Sequence, residues 1–154
     1  MPAFVLNSDG GSRGNPGPAA AGFVLSTPEG EVVCRGGKFL GETTNNVAEY
    51  EALLWGLRTA IARGASDLTL YLDSELVVKQ LNGQYRVKHE NMKPLYQQAV
   101  TLLTKVPKYR VVHVRREHNK LADELANQAM DCRGVVGDVE ESNLGGPEQG
   151  TLFG

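Results

Sequence analysis

Residues 3–22 read AFVLNSDGGSRGNPGPAAAG, and this stretch is the best single guide to the fold. A strand-like run at 3–9 ends at Asp9 and leads into a turn of glycine, asparagine and proline. A second such run lies at about 19–27, and a third follows the turn PEGE at about 31–41. Apolar runs between glycine- and proline-rich turns predict three strands. Because the turns are short, the strands should form an antiparallel meander.

The hydrophobic period changes after the third strand. From residue 46 to residue 63, apolar side chains recur every three or four positions, which predicts a helix that ends at Gly64. The later segments predict strands at about 67–73 and 109–115, and helices at about 75–82, 91–104 and 119–132. The order β-β-β-α-β-α-α-β-α predicts an α/β fold with a five-stranded mixed sheet flanked by helices. Its first three strands are antiparallel, and the two later strands, joined through helices, run parallel to the first.

The 154 residues are enough for one domain with a sizeable core, which we place at 1–132. Residues 133–154 are rich in glycine and acidic side chains and should form a flexible tail. The formal net charge of -2 at first argues against a nucleic-acid partner. Four of the 18 acidic residues lie in that tail, however, so residues 1–133 hold 16 basic and 14 acidic side chains. Charge alone therefore neither supports nor excludes nucleic acid.

Weaker signals bear on location and assembly. No apolar run approaches the ~20 residues that a membrane span needs, and the first residues lack the basic start of a signal peptide. Cys34 and Cys132 are the two cysteines, too few for a disulfide framework and without close metal-ligand spacing. We therefore expect a cytoplasmic protein with no membrane partner. We also expect a monomer, because the sequence shows no apolar interface stripe.

Two aspartates stand where predicted strands end. Asp9 ends the first strand and Asp73 ends the fourth. In open α/β sheets, ligands bind outside the carboxyl ends of strands, so these two side chains can lie close together. Taken singly, each aspartate is explained better by helix capping or turn formation.

Two further acids lie on predicted helices. Glu49 falls in register with Ala52, Leu53 and Gly56, so it points toward packing rather than water. A buried carboxylate is costly unless it is paired, protonated or bound to metal. Asp123 lies close to the apolar side of its helix, and for both acids an ion pair with a nearby arginine is the alternative. Oxygen ligands without a Cys or His pair favour Mg²⁺ or Mn²⁺, and two such ions can clamp a phosphodiester.

The chain resembles the type 1 ribonuclease H family in four motifs: SDGGSRGNPGPAAAG at 8–22, TTNNVAEYEAL at 43–53, LYLDSELVV at 70–78 and NKLADELAN at 119–127. Their order and spacing agree with the family across about residues 3–132. The resemblance implies a ribonuclease H-like fold and an endonuclease that hydrolyses the RNA strand of RNA–DNA hybrids, leaving 5′-phosphate and 3′-hydroxyl ends. It implies two Mg²⁺ ions, replaceable by Mn²⁺, whose catalytic ligands are Asp9, Glu49, Asp73 and Asp123.

The resemblance also implies contacts with the nucleic acid. Members of the family recognise the RNA strand through its 2′-hydroxyl groups, which separate RNA from DNA. The matching positions here are Gly10, Gly11, Ser12, Asn15, Asn45 and Glu75. Thr44 matches a position that binds a phosphate of the DNA strand.

One departure from the family concerns affinity for the hybrid. Many relatives carry a basic, tryptophan-rich protrusion after the helix that follows the position of Asp73. Some also carry an N-terminal hybrid-binding domain. We expect this chain to lack both. Its segment at the place of the protrusion is short and mildly basic, with Arg86, Lys88, His89 and Lys93. Hybrid affinity should then depend on fewer phosphate contacts, and His89 is a candidate for one of them.

The other departure concerns a loop before the last helix. Relatives often place a histidine or a glutamate there, to assist product release or proton transfer. The loop here is RREHNK, and we prefer His118 for the role, with Glu117 as the alternative. Arg115 and Arg116 could replace this function by binding phosphate. His113 falls within a predicted strand, which indicates a packed histidine.

The last residues resemble a short docking peptide. Gln149, Leu152 and Phe153 match the Gln-x-x-Leu-Phe pattern with which replication proteins dock on a sliding clamp. An apolar pair on a polar tail gains nothing unless it is buried, which favours such a partner. The alternative is that Leu152 and Phe153 pack back on the domain.

Three other functions compete with hybrid cleavage. The first is cleavage of double-stranded RNA as well as hybrid, since both present an A-like minor groove. The second is exonuclease or strand-transfer work on DNA, although the NPG and TTNN segments favour ribose recognition. The third is a non-catalytic hybrid-binding or clamp-associated module, which would not need four mutually repelling carboxylates.

Overall fold

The computed structural model describes residues 2–138, which form a six-stranded sheet and four α-helices. The elements are β1 Ala3–Ser12, β2 Gly17–Ser26, β3 Val32–Thr43, α1 Asn45–Ala62, β4 Asp67–Leu72, α2 Glu75–Leu81, α3 Lys93–Leu103, β5 Lys108–His113, α4 Lys120–Cys132 and β6 Val135–Gly137. A single 3-10 turn, Arg116–His118, precedes α4. Within this described part of the chain, no helix combines the length and the apolarity that a membrane crossing requires.

The sheet is mixed and has the strand order β5-β4-β1-β2-β3-β6. β2 pairs antiparallel with both β1 and β3. β4 lies parallel to β1, and β5 lies parallel to β4. The structure therefore confirms the predicted α/β fold, with an antiparallel meander followed by two parallel strands.

The predicted number of five strands is wrong, because β6 extends the sheet beyond β3. Its residues Val135–Gly137 pair antiparallel with Gly36–Lys38. Three residues are too few to show an alternating pattern in the sequence. They form a strand because they pair with the open edge of β3. β6 lies at the start of the segment 133–154 that we predicted as a tail. Residues 139–154, with the candidate clamp-binding residues Gln149, Leu152 and Phe153, lie outside the described residues, so these two predictions stand as predictions.

The helices cover both faces of the sheet. Successive residues of a strand point to opposite faces of the sheet. Gly22 pairs with Asp9, the residue before Gly10, so Gly10 and Gly22 face opposite sides. Gly10 contacts α1 and Gly22 contacts α4. Gly22 permits this close packing, because a Cβ there would lie 2.3 Å from the carbonyl oxygen of Ala122. α3 packs on the outside of α1. The sheet is thereby enclosed between two helical layers.

The main hydrophobic core lies between the sheet and α1. Tyr50 and Trp55 of α1 are buried, and Phe23 of β2 meets the Trp55 ring edge-on at a centroid distance of 4.8 Å. Each such large apolar side chain contributes about 1.5–3 kcal/mol through its burial. This packing fixes α1 against the sheet, and with it any side chain that the first turns of α1 present to the strand ends.

Candidate active site

Strand pairing places Asp9 beside Asp73. β1 and β4 run parallel with Ser8 opposite Leu72, so the next residue of each segment meets the other at the carboxyl end of β4. Asp9 lies within β1, and Asp73 directly follows β4. The structure thus brings together the two aspartates that the sequence placed at strand ends.

Glu49 reaches the same point from α1. Its Oε1 accepts a hydrogen bond from the backbone N–H of Gly10 at 3.0 Å. The close approach of the helix depends on Gly10, because a Cβ there would lie 2.1 Å from the carbonyl oxygen of Ala48. The glycine that follows Asp9 therefore has a packing role in addition to its predicted contact with the substrate.

Asp9, Glu49 and Asp73 form a tight carboxylate cluster. One oxygen of each lies within 4.8 Å of the other two. Asp9 is 7% exposed and Glu49 is 8% exposed. Glu49 Oε2 and Asp73 Oδ2 are buried and lack a hydrogen-bond partner in the described part of the chain. Between residues 2 and 138, no basic side chain forms a salt bridge with the cluster, so its carboxylates lie close together without a directly paired cation.

Burial and mutual repulsion raise the pKa values of Asp9 and Glu49. For Asp9, burial is the largest cause, followed by the charges of Glu49 and Asp73 and by a hydrogen bond with Asp123. For Glu49, burial again comes first and the charge of Asp73 second, while the hydrogen bond from Gly10 opposes the rise in pKa. The cluster therefore retains protons that a bound cation would displace.

Asp123 approaches the cluster from α4. It lies in the first turn of that helix, is half-buried, and is near enough to Asp9 for the hydrogen bond that helps to raise the Asp9 pKa. All four predicted acids line one open cleft with a volume of about 560 Å³. Its floor offers carboxylate oxygens as ligands, which suits Mg²⁺ or Mn²⁺ better than zinc.

Asn119 fixes the start of α4 against β1, a role that we did not predict from the sequence. It is 2% exposed, and its Nδ2 donates to the Ser8 carbonyl at 2.8 Å. Its Oδ1 accepts from Asn7 Nδ2 at 3.0 Å. Because Ser8 directly precedes Asp9, these bonds set the position of α4, and hence of Asp123, relative to the cluster. The sequence feature that points to this role is the motif NKLAD, in which Asn119 lies four residues before Asp123.

The glycine-rich turn is tied to the start of α1. Asn45 Oδ1 accepts hydrogen bonds from the Ser12 backbone N–H at 2.7 Å and from the Ser12 hydroxyl at 3.0 Å. Asn15 Oδ1 in turn accepts from the Asn45 N–H at 3.1 Å. Gly10, Gly11, Ser12 and Asn45 all line the cleft. Four of the predicted substrate contacts therefore lie on one fixed wall beside the carboxylates.

The other three predicted substrate contacts, Asn15, Thr44 and Glu75, lie outside the lining of the cleft. Asn15 supports Asn45 from behind, and the Thr44 hydroxyl caps α1 by accepting from the Val47 N–H at 3.3 Å. Glu75 is exposed in the first turn of α2 and pairs with a lysine one turn later at 3.2 Å. Their contacts with nucleic acid stay predictions.

The loop before α4 presents arginines to the cleft. Arg115, Arg116 and Glu117 line the cleft, whereas His118 lies outside its lining. The charge of Arg116 also acts on Glu49, where it opposes the rise in pKa that burial causes. The catalytic role of His118 therefore stays a prediction without a supporting contact.

His113 is exposed and lines the cleft, so the prediction of a packed histidine is wrong. β5 is an edge strand of the sheet, and His113 is its last residue, paired with Leu72. An edge position at a strand terminus leaves the imidazole uncovered, which a strand pattern in the sequence does not reveal.

The connection between α2 and α3 forms a second hollow, with a volume of about 660 Å³. Tyr85, Arg86, Lys88 and His89 contribute to its lining, and Tyr85 is 49% exposed. An exposed aromatic ring beside basic side chains is a common arrangement for binding a nucleic-acid strand.

Known proteins resemble the chain in both sequence and structure. Residues 7–129 match the model of a family described as reverse transcriptase-like. The bifunctional protein Rv2228c of Mycobacterium tuberculosis is 40% identical over 153 residues, which cover 97% of this chain and 42% of that protein. The chain therefore spans about two fifths of the length of the first curated relatives that it matches.

Two solved structures add to the comparison. Ribonuclease H1 from the halophilic archaeon Halobacterium salinarum superposes with a TM-score of 0.82 at 42% identity, covering 84% of this chain and 98% of that one. LC11 ribonuclease H1, isolated from compost and solved in complex with an RNA/DNA hybrid, has a TM-score of 0.80 at 39% identity, covering 84% and 97%. The fold, the carboxylate cluster and these similarities agree, and the chain belongs to the type 1 ribonuclease H family.

Proposed function

We propose that this chain is an endonuclease that hydrolyses the RNA strand of RNA–DNA hybrids and leaves 5′-phosphate and 3′-hydroxyl ends. The observation that carries the proposal is the cluster of Asp9, Glu49 and Asp73, three carboxylates within 4.8 Å at the floor of an open cleft. A module that only bound nucleic acid would lose affinity through such negative charge, because the phosphate backbone is also an anion. The hybrid bound to the compost relative supports the choice of substrate.

The residues present fit a pair of Mg²⁺ ions, with Mn²⁺ as a substitute. Two buried oxygens without hydrogen-bond partners, Glu49 Oε2 and Asp73 Oδ2, are available as ligands. Asp9, Glu49, Asp73 and Asp123 would hold the ions. When bound, the ions supply the Lewis acidity that activates water and stabilises the leaving oxygen of a phosphodiester.

The protein itself positions the substrate. The wall formed by Gly10, Gly11, Ser12 and Asn45 offers backbone and side-chain polar groups to the 2′-hydroxyls of an RNA strand. Hydrogen bonds between the turn and the start of α1 hold that wall in place, so little reorganisation is needed on binding. This wall favours RNA over DNA as the strand that lies on the carboxylates.

Arginines of the loop before α4 bind the substrate phosphates in this proposal. Arg115 and Arg116 line the cleft and Arg115 is exposed. A guanidinium pairs well with a phosphate but does not exchange protons at neutral pH. The arrangement therefore favours phosphate binding over proton transfer by His118 as the function of this loop.

The second hollow gives the other strand a binding surface. Arg86, Lys88 and His89 would contact the DNA backbone there, and the exposed Tyr85 ring would pack on a sugar or a base. With few basic residues in this segment, hybrid affinity should be modest and its salt dependence shallow, because the log–log slope scales with the number of phosphate contacts.

A cleavage assay tests the function. One labelled RNA strand is presented in a hybrid, in double-stranded RNA and alone, beside labelled double-stranded DNA, each with Mg²⁺, Mn²⁺ or chelator. We expect the RNA of the hybrid to be cut with either metal. No cleavage should occur in the presence of chelator or in the Asp73→Asn variant. Hybrid binding without cleavage in both metals would make the chain a binding module, and equal cutting of double-stranded RNA would widen the substrate.

A further inference from the structure

Arg13 crosses the mouth of the cleft from the glycine-rich turn to α4. Its Nη2 lies 2.7 Å from Asp131 Oδ1 and donates to Asn127 Oδ1 at 3.4 Å. The Arg13 backbone is fixed independently, because its N–H donates to the Pro18 carbonyl at 2.8 Å. Arg13 and Asn127 both line the cleft that holds the carboxylates. The side chain therefore bridges two walls of the substrate site while its backbone needs no bridge to stay in place.

The partners of Arg13 are spaced regularly from the carboxylate cluster. Asp123, Asn127 and Asp131 recur at every fourth position, so they lie along one face of α4. At about 1.5 Å per residue, Asn127 lies about 6 Å and Asp131 about 12 Å along the helix axis from Asp123. If the scissile phosphate lies at the carboxylates and the strand continues along this face of α4, a neighbouring phosphate comes close to the Arg13 guanidinium.

The ion pair of Arg13 with Asp131 is open to exchange. The Arg13 side chain is 53% exposed and that of Asp131 is 67% exposed. Pairs this exposed contribute little to folding stability. A guanidinium binds a phosphate in two-pronged geometry at least as well as a carboxylate, so an approaching nucleic acid can take the place of Asp131.

We propose that Arg13 binds a phosphate of the RNA strand adjacent to the one on the carboxylates, and that Asp131 holds the guanidinium at the cleft until nucleic acid displaces it. This inference rests on the proposed function. Arg13 is then a substrate-binding residue, and Asp131 is a competitor of the phosphate that lowers affinity for the hybrid. The two members of the pair should have opposite effects on binding when each is removed.

The test measures hybrid affinity as a function of salt, by fluorescence anisotropy in an Asp73→Asn background that prevents cleavage. We expect Arg13→Ala to weaken binding about fivefold and to make the salt dependence shallower by about 0.9 in the log–log slope, the loss of one phosphate contact. Arg13→Lys should keep the slope and lose part of the affinity. Asp131→Asn should tighten binding about twofold, since the competitor is gone.

Arg35→Ala is the matched control. Arg35 forms a similarly exposed pair with Asp138 at 3.5 Å but lies outside the lining of the cleft. It should leave both affinity and slope as they are. In the cleavage-competent chain, Arg13→Ala should raise KM and leave kcat within about twofold, because a uniform binding contact is lost.

Two results would overturn the inference. One is a wild-type salt slope in Arg13→Ala, and the other is weaker binding in Asp131→Asn, which would make the pair a structural clasp. Either result leaves hybrid cleavage by the unaltered chain intact as a function. If the unaltered chain neither binds nor cuts hybrid in the substrate assay, the proposed function itself fails, and the role of Arg13 fails with it.

Discussion

At Asp9, burial and two neighbouring carboxylates make the charged form of the side chain expensive. Its pKa in the folded chain lies above the ordinary value of 3.8, chiefly through burial and then through the charge of Glu49. The folded chain thus binds more protons than the unfolded chain at any pH between those two pKa values. Stability from this source is complete below the unfolded pKa and is lost as pH rises toward the folded pKa.

Replacing Asp9 should therefore stabilise the protein when no metal is bound. We expect Asp9→Asn to raise the free energy of unfolding at pH 8 by roughly 2 kcal/mol, or the Tm by roughly 5 °C, with little effect near pH 4. Thermal unfolding in chelator across this pH range measures the difference. Adding Mg²⁺ at pH 8 should stabilise the unaltered chain and reduce the advantage of the variant.

Glu124→Gln is the control for the Asp9 variant. Glu124 is exposed on α4 and lies outside the lining of the cleft, so its neutralisation should leave the Tm unchanged at both pH values. A Tm of Asp9→Asn below that of the unaltered chain at pH 8 would contradict the unfavourable burial of negative charge that we assign to the cluster.

The contact between α1 and β1 depends on the missing side chain of Gly10. A Cβ at Gly10 would lie 2.1 Å from the carbonyl oxygen of Ala48, and backbone atoms cannot move aside cheaply. We expect Gly10→Ala to destabilise the fold by roughly 3 kcal/mol. It should also lower kcat, because it displaces α1, the helix that carries Glu49. Urea unfolding and steady-state cleavage measure the two effects.

Gly11→Ala is the control that separates the packing of α1 on Gly10 from the general effect of replacing a glycine. A Cβ at Gly11 would lie 3.7 Å from its nearest neighbour, Asn45 Oδ1, which is an ordinary contact. Its free energy of unfolding should stay within about 1 kcal/mol of the unaltered chain. Equal losses of stability in the two variants would refute close helix approach as the role of Gly10.

The contact between α4 and β1 depends on Asn119. Asn119→Ala removes the side-chain donor to the Ser8 carbonyl and the nearer of the two acceptors of Asn7 Nδ2, which should cost about 1–3 kcal/mol. It should also lower kcat, because Asp123 then moves relative to Asp9. Asn82→Ala is the comparison, since Asn82 makes a similar bond to the Val111 carbonyl at 3.2 Å away from the cleft. A loss of stability with an unchanged kcat in both variants would remove the positioning role of Asn119.

The elements that the sequence predicted well are those whose pattern is local and long. α1 shows a sustained helical period, and its Glu49 stands out as an acid on a buried face. β6 has no such pattern, because its three residues are ordered by the edge of β3, far away in the chain. The exposure of His113 and the bonds of Asn119 likewise follow from which elements become neighbours. The periodicity of apolar residues along the sequence carries no information on which elements pack against each other.

At the scale of the whole molecule, the candidate site is assembled from four distant segments. Asp9 comes from β1, Glu49 from α1, Asp73 from the end of β4, and Asp123 from α4. The central position of β1 in the sheet, between β4 and β2, lets helices on both faces reach its end. The chemistry therefore depends on the cooperative fold rather than on one motif.

We predict that the fold ends after β6, and truncation tests this prediction. Val136 packs against two small apolar clusters between the sheet and α4, which include Ala126 and Leu125, and the Phe39 N–H donates to the Gly134 carbonyl at 3.0 Å. A chain that ends at residue 133 should lose roughly 3 kcal/mol of stability, or roughly 10 °C in Tm, because these contacts and the β3 ladder are removed. A chain that ends at residue 138 should keep both the Tm and hybrid cleavage. If the longer chain unfolds with the shorter one, residues 139–154 belong to the domain and our tail prediction is wrong. If both keep the full Tm, β6 adds nothing to the stability of the sheet.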